Sequence, residues 1–370
     1  MKNTTEQFFI IVPPGFESAC AKELSQLTDA PLTLSHGGIT FKGKLRDLYL
    51  TNLWLRSASR ILVRLDNFNC RDFPSLYRKS LRLPWGRFIQ PGRPLSLRVT
   101  CRGSRLIHSD RVAETIEDAI HKALGTTAAE HNNNQEQQTI FVRIDNDQCT
   151  ISMDSSGELL HKRGYRVKST AAPLRETIAA GCLLHCNWSG ETPLWDPFCG
   201  SGTFPIEAAL IAANIPPGRQ RRFSFMNWPG FRQGLWNTLI AEANKLKREV
   251  KVAICASDLS EEALTFAHLN ARQAGVESMI HFHQQDAFTP YPQFIEGLII
   301  CNPPYGERLA SDLSPQKLLK KLTGQFKSHD KISTAILLPQ DKQMPHDPLI
   351  TLSNGGLDVA LYSTIKSRTQ

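Results

Sequence analysis

Apolar residues are spaced in two different ways along this chain. Over the first 150 or so residues they fall in short strand-like runs separated by helically spaced stretches. QFFIIVPPG reads as a strand closed by Pro13, Pro14 and Gly15, ESACAKELSQL has helical spacing, and GGITFKG is a strand bounded by glycines. The alternation then recurs: RSASRILVRLDNF ends in a strand, FPSLYRKSLRL is helical, and PLSLRVTCRG is a strand. SDRVAETIEDAIHKAL is an amphipathic helix with Ser109 as its expected N-cap. HNNNQEQQ is polar and of low complexity, hence a loop, and TIFVRIDNDQCTISMDSSG reads as a hairpin turning at Asp145, Asn146 and Asp147.

A basic connector, LLHKRGYRVKSTAAPLRETIAAGCLLHCN, separates this half from the next, and Pro173 marks an expected helix start. Beyond it the apolar residues come in continuous blocks, each followed by a helix: PLWDPFCGSG, VAICASDLS, HFHQQDAF and GLIICNPPYG. Such strands predict a parallel sheet covered on both faces, whose ligand site lies at the C-terminal ends of the strands. All four end in a polar or glycine-rich turn, so their candidate residues converge on one edge.

Length supports two or three domains, since 370 residues exceed one ordinary core. With 41% hydrophobic and 21% charged residues, and no apolar run of the length a spanning helix needs, the composition predicts a cytosolic protein with no membrane segment. The nine cysteines form no CxxC pair. Cys182 and Cys186, with His185 between them, lack two further ligands, so no metal site is expected and the thiols should be reduced. Charge changes the picture more. Residues 41–111 hold sixteen Lys or Arg against four acids, a surplus of twelve, which leaves −4 for the rest of a chain of net charge +8. A basic, arginine-rich segment beside a mildly acidic remainder fits a polyanion-binding module, although a solvated basic face would look the same. Lys79, Arg82, Arg98 and Arg102 are its candidate RNA contacts.

The candidate chemistry lies at the strand ends. DPFCGSGTFPIEAAL runs strand, turn, helix, and Gly200 and Gly202 let the backbone approach a ligand at the helix N-terminus. No Gly-Lys-Ser/Thr follows and the third glycine of a dinucleotide fingerprint is missing. The Asp196 carboxylate would sit badly against a pyrophosphate and suits a cationic ligand with hydrogen-bond donors, such as the amino-acid end of S-adenosylmethionine. Pro197, Phe198 and Thr203 complete that turn. Asp258, followed by Leu259, stands where a ribose's hydroxyls can donate, although taken alone the position reads rather as a helix cap, which Asp258 or Ser260 would supply equally. Asp286, with Ala287, can accept from an adenine amino group. Three acids at successive strand ends are hard to explain as caps alone. At the fourth end, the Asn302 side-chain oxygen and the Pro303 carbonyl can each accept one N–H of an exocyclic amine. Pro304 stiffens the turn, and Tyr305 offers a face for a planar substrate.

HKRGYR (161–166), APLRETIAA (172–180), DPFCGSGTFPIEAAL (196–210) and NPPYGERL (302–309), in that order, resemble the bacterial THUMP-containing methyltransferases, in particular the guanine-N2 methyltransferase half of the large-subunit rRNA enzyme. The resemblance implies an α/β chain with an N-terminal ferredoxin-like part (1–44), a THUMP RNA-binding domain (45–155) and a Rossmann-like S-adenosylmethionine-dependent methyltransferase domain (156–370, with 156–175 as linker). It also implies that Arg175 and Thr177 close over the cofactor, and that the partner is structured RNA, 23S rRNA or a large-subunit assembly intermediate. Between Asp196 and Asp258 lies an unusually long insert in which Arg219, Arg221 and Arg222 sit beside Phe223, Phe225 and Trp228. Those residues suit either a single-stranded RNA loop or packing against the domain. Rival readings are a tRNA guanine-N2 enzyme, a DNA or RNA adenine-N6 methyltransferase, a release-factor glutamine methyltransferase, and an RNA-binding protein with an inactive methyltransferase domain.

Overall fold

The structure, a computed structural model, describes residues 4–126, 136–170, 173–289, 295–304, 315–324, 331–341, 344, 347–354 and 357–364. Its first half is one twisted seven-stranded sheet. The elements in chain order are β1 (Glu6–Ile11), α1 (Glu17–Ser25), β2 (Thr33–Ser35), β3 (Gly38–Gly43), α2 (Leu45–Trp54), β4 (Arg60–Asn69), α3 (Phe73–Leu81), β5 (Leu95–Arg102), α4 (Ser109–Leu124), β6 (Gln138–Asp145) and β7 (Gln148–Asp154). The strands lie in the order β2-β3-β1-β4-β7-β6-β5, and only β5 and β6 run parallel. β4 pairs with β1 on one side and β7 on the other, so the sheet crosses the expected boundary at residue 45 without a break.

Local chemistry explains most of these elements. Asp72 caps α3 by accepting the Ser75 N–H at 2.7 Å, with Pro74 in the first turn. The β6–β7 hairpin turns on Asn146 and Asp147, both at positive φ (50° and 62°), the signature of a type I′ turn whose twist matches the strands. α4 buries Val112, Ile116, Ala119 and Ile120 on one stripe and ends at left-handed Gly125. His108, not Ser109, is its N-cap, and no side chain caps it. α2 had no amphipathic period to reveal it, because Leu48 through Leu53 are all buried, although Asp47 reaches back to the Lys44 N–H at 2.7 Å as a capping acid does. Of the polar stretch 131–138, residues up to 135 lie outside the described residues.

The second half holds α5 (Glu176–His185), β8 (Leu194–Asp196), α6 (Thr203–Ala212), α7 (Gln233–Lys245), β9 (Ile254–Asp258), α8 (Glu261–Ala274), β10 (His281–Gln284), β11 (Glu296–Cys301), α9 (Pro315–Gly324), β12 (Lys331–Pro339), β13 (Ile350–Asn354) and β14 (Leu357–Ser363). Its sheet runs β10-β9-β8-β11-β12-β14-β13, parallel from β10 to β12 and antiparallel at β14 and β13. β8, β9 and β11 are continuously buried, as expected, but β10 is an edge strand with a mostly exposed pattern. α5 starts three residues after Pro173: the Leu174 carbonyl is held by Arg166, and Arg175 is still extended (ψ 138°) as the N-cap.

One core joins the halves. Tyr49 of α2 stacks on Phe225 at 4.5 Å, and Phe223, Trp228, Phe231 and Trp236 gather around the pair. Ser224 Oγ and Trp228 Nε1 both donate to Gln138 Oε1 of β6, at 2.9 and 2.8 Å. The long insert therefore packs the second half against the first. Aromatic pairs of this kind add about 0.5–1.5 kcal/mol each beyond their burial.

Candidate active site

The strand order places a topological switch between β8 and β11, where successive connections leave in opposite directions and open a crevice. Reading along the C-terminal edge from β10, the residues met are Asp286, Asp258, Asp196 and Asn302. The structure thus brings together the four positions that the sequence placed at four separate strand ends. Tyr305 lies outside the described residues.

Each aspartate is held by the same local device. Oδ1 of Asp196, Asp258 and Asp286 accepts the backbone N–H two residues on, from Phe198 (3.1 Å), Ser260 (3.0 Å) and Phe288 (2.9 Å). Asp258 is also a bridge, since its Oδ2 accepts the Gly200 N–H at 2.9 Å and ties the turn after β8 to the end of β9. Ser260, rather than Asp258, caps α8 by accepting the Ala263 N–H at 3.2 Å. Gly202 occupies the N-cap of α6 at φ +87°, a conformation strained for any other residue, and a Cβ there would come to 3.0 Å from the Ala267 side chain and press α6 away from α8. Thr203 then opens a helix that is buried all round.

Burial pushes the Asp196 carboxyl well above its ordinary range, and the nearby charge of Asp258 adds to the effect. A cation placed beside these two groups would relieve both. Pro197 and Ala287 are buried, Leu259 is 70% exposed, and Asp286 is exposed, as suits an acceptor for a ligand's outer end. The Phe198 and Phe288 rings meet edge to face at 6.2 Å, with Lys321 Nζ of α9 3.5 Å above Phe288. At the switch itself, Asn302 Oδ1 is buried and has no hydrogen-bond partner among the described residues. A buried, unsatisfied acceptor is costly, by about 1–3 kcal/mol, unless a ligand supplies the donor. The acids and the open glycine turn fit S-adenosylmethionine, and the orphaned oxygen leaves room for a hydrogen-bond donor from a ligand.

Two residues that hold the site were not among the sequence candidates. Arg166 of the HKRGYR stretch fans out to Glu176 (2.8 Å), Ser201 Oγ (3.1 Å), the Leu174 carbonyl (3.0 Å) and Thr203 Oγ1 (3.0 Å), and so clamps the glycine turn to the start of α5. Asn270 of α8 is fully buried. It donates to the Ser201 and Lys168 carbonyls and accepts from the Val167 N–H. The one signal available beforehand was the arginine's place in a motif. Arg175 is exposed at the N-cap of α5, whereas Thr177 is 2% exposed inside that helix.

The insert corrects one expectation. Arg221 donates to the Leu159, Lys162 and Glu158 carbonyls at 2.6–2.7 Å, and Arg219 to the Ala274 carbonyl, while Phe223, Phe225 and Trp228 are buried. These guanidinium groups hold backbone and are not open RNA contacts; Arg222 alone of the three is exposed. Lys79 is partly exposed, donating to the Asn69 carbonyl at 2.7 Å, and Arg82, Arg98 and Arg102 are exposed on the first half.

A Rossmann-like sheet with three strand-end acids, a glycine turn and an Asn-Pro-Pro end defines an S-adenosylmethionine-dependent methyltransferase, here joined to an N-terminal α+β module. Comparison with known proteins agrees: the RMKL-like methyltransferase domain matches residues 163–349, the RlmL ferredoxin-like domain 7–62 and the THUMP domain 70–154. The chain is 31% identical to a "Putative RNA methyltransferase" of Synechocystis sp., over 97% of this chain and 96% of that one. It is 33% identical to the "Ribosomal RNA large subunit methyltransferase K/L" of Methylococcus capsulatus, over 97% of this chain but 51% of the relative. Among solved structures, a putative methyltransferase complexed with SAH superposes with a TM-score of 0.87 at 30% identity, covering all of both chains. The chain belongs to the RMKL-like methyltransferase family and is an S-adenosylmethionine-dependent RNA methyltransferase. It spans about half the length of the K/L relatives it matches.

Proposed function

We propose that this chain methylates the exocyclic N2 of a guanine in 23S rRNA, presented as free RNA or as a large-subunit assembly intermediate. The observation that supports the amine chemistry is the buried Asn302 Oδ1 just beyond β11, which has no partner among the described residues. The K/L names of several relatives carry the ribosomal substrate.

S-adenosylmethionine, when bound, supplies an electrophilic methyl group on a sulfonium. Asp196 would hold its amino-acid end, the Gly200–Gly202 turn its approach, Asp258 its ribose and Asp286 its adenine. Asn302 Oδ1 and the Pro303 carbonyl each accept one N–H of the target amine, which turns the nitrogen lone pair out of conjugation and towards the methyl. Both protons stay on the amine nitrogen, hydrogen-bonded to Asn302 and Pro303, until the methyl passes from the sulfonium to nitrogen; S-adenosylhomocysteine would then leave and the alkylated nitrogen, acidic only once it carries the methyl, would release one proton to solvent. No strong general base is needed.

Nucleoside mass spectrometry of rRNA and tRNA from cells with and without the protein tests the reading. Loss of N2-methylguanosine from large-subunit rRNA is expected. Loss of N6-methyladenosine instead would keep the site chemistry and replace the target, and loss confined to tRNA would replace the substrate. Asn302→Ala should abolish transfer while calorimetry shows almost unchanged affinity for S-adenosylhomocysteine, whereas Asp258→Ala should weaken that affinity. Full activity in both variants would overturn the site assignment.

A further inference from the structure

Helix α6 begins at a turn that glycine leaves loose. Gly200 and Gly202 both take positive φ, 52° and 87°, and without a Cβ each can swing its peptide at little steric cost. A pocket built on such a turn needs the turn held from outside.

The β9–α8 unit supplies that hold, one contact for each residue. Asp258, at the end of β9, accepts the Gly200 N–H at 2.9 Å, and Asn270 of α8 donates to the Ser201 carbonyl at 2.9 Å. Ala267, one helical turn before Asn270 on the same face, stands 3.0 Å from where a Cβ on Gly202 would lie. The Gly202 N–H turns back to the Cys199 carbonyl at 2.8 Å. The peptide between Ser201 and Gly202 is therefore fixed on both sides, its N–H by Cys199 and its carbonyl by Asn270.

Every bonding site of the Asn270 amide is used. Its side chain is fully buried; Oδ1 accepts the Val167 N–H (2.8 Å) and the Lys168 N–H (3.2 Å), while Nδ2 donates to the Lys168 carbonyl (2.8 Å) as well as to Ser201. Two donors and two lone pairs are the whole capacity of a carboxamide. Towards Lys168 it bonds both the N–H and the carbonyl of one residue, as a neighbouring strand would. Aspartate has the same shape but lacks the donors, and leucine lacks both kinds of group.

The segment held in this way lies over the turn. Thr170 Oγ1 falls 3.7 Å from where a Cβ on Gly200 would stand, and Arg166, at the start of the segment, binds Ser201 Oγ and Thr203 Oγ1. Ser201 is thus gripped by its hydroxyl from one side and by its carbonyl from the other.

Resting on the reading of this turn as the cofactor site, we propose that Asn270 is a positioning residue for S-adenosylmethionine: it fixes the Ser201–Gly202 peptide and lays residues 167–170 across the turn before any cofactor is bound. It acts through the turn and touches no reacting atom. Glycine leaves the space that the cofactor's approach requires, and the buried amide removes glycine's freedom without filling that space. Binding then does not have to order the turn. Because Asp258 and Asn270 belong to one strand-helix unit, the ribose and the amino-acid end are set in a single frame.

Calorimetric titration of the full, ligand-free chain with S-adenosylhomocysteine tests this, because the stoichiometry counts folded molecules whereas the dissociation constant reports the pocket. Asn270→Asp keeps the acceptor for Val167 and Lys168 but offers at most one donor where the amide had two. Asn270→Ser is too short to reach Ser201 and crowds nothing. Each should raise the dissociation constant about tenfold at unchanged stoichiometry. Hydrogen exchange at the Gly202 N–H of the ligand-free variants should quicken, with the β6–β7 hairpin unaltered. Arg272→Gln, at an exposed position of the same helix, should change neither. Any of three results overturns the proposal: a wild-type dissociation constant in both variants, unchanged exchange at Gly202, or failure of both to fold, which would make Asn270 a residue of the core alone. Asp258→Ala in the same titration separates the two readings. Weakened binding there beside wild-type binding in the Asn270 variants removes the positioning role only, whereas wild-type binding in all three removes the cofactor site as well.

Discussion

Two groups of arginines in this molecule do opposite work with the same side chain. At the junction between the halves, Arg56 donates to the Leu210 and Ile215 carbonyls, and Arg163 reaches the Arg56 carbonyl, the Leu160 carbonyl and the fully buried Glu207. Arg166 and Arg221 each bind three or more protein acceptors. On the N-terminal sheet, Arg64 and Arg98 have no protein acceptor among the described residues. Counting charges along a sequence treats both groups alike. The difference is whether the fold supplies oxygens to the guanidinium fork: where it does, arginine joins domains, and where it does not, the cation is free for an outside anion.

The largest effect should come from breaking the junction at its centre. Glu207→Ala leaves Arg163 buried without its partner and should cost about 3–5 kcal/mol, read from urea unfolding. A double variant, Arg163→Met with Glu207→Leu, should recover much of that loss. If Glu207→Ala unfolds like wild type, the contrast drawn above fails.

Arg166→Lys is a finer test, because lysine keeps the charge but cannot span four acceptors. Affinity for S-adenosylhomocysteine should fall about tenfold in calorimetry, with a smaller loss of stability than in Glu207→Ala. A change in stability without a change in affinity would make Arg166 a plain structural strut.

Acid should expose the crowding of cations at the junction. Burial, and then Arg175, Arg163, Lys162 and Arg221, lower the His161 pKa from 6.5 to about 4. The folded state therefore binds fewer protons than the unfolded chain between those values, and stability should fall as the pH drops from about 6.5 to about 4. His161→Gln should flatten that part of the curve; an unchanged slope would show that the imidazole takes no share. Smallest of all, Arg98→Gln should shift stability by no more than about 0.5 kcal/mol, since its side chain is exposed and bonds to no acceptor among the described residues.

Much of the candidate site was legible because strand ends are local objects. An apolar block running into Asp-Pro-Phe-Cys-Gly or Asn-Pro-Pro announces its turn through glycine's and proline's own backbone limits, and Asp196, Asp258, Asp286 and Asn302 were placed on one edge before any coordinates. The hairpin at Asn146 and Asp147 was legible for the same reason. Illegible were α2, whose buried faces left no period, and the roles of Arg219 and Arg221, which depend on carbonyls from elsewhere in the chain. Arg166 and Asn270 were missed likewise, because a clamp is defined by the residues it joins.

The amino-acid sequence by itself determined the class of chemistry: a parallel sheet, its strand-end acids and its Asn-Pro-Pro turn all follow from short-range patterning and the bonding capacity of a few side chains. Only the tertiary structure decided which cations are free and which are bound, and that one sheet runs through both N-terminal domains. It also showed that an insert rich in arginine and aromatics packs the two halves together. Hydrogen-bond acceptors and ring partners come from residues up to about a hundred positions away or more, and only folding brings them within reach.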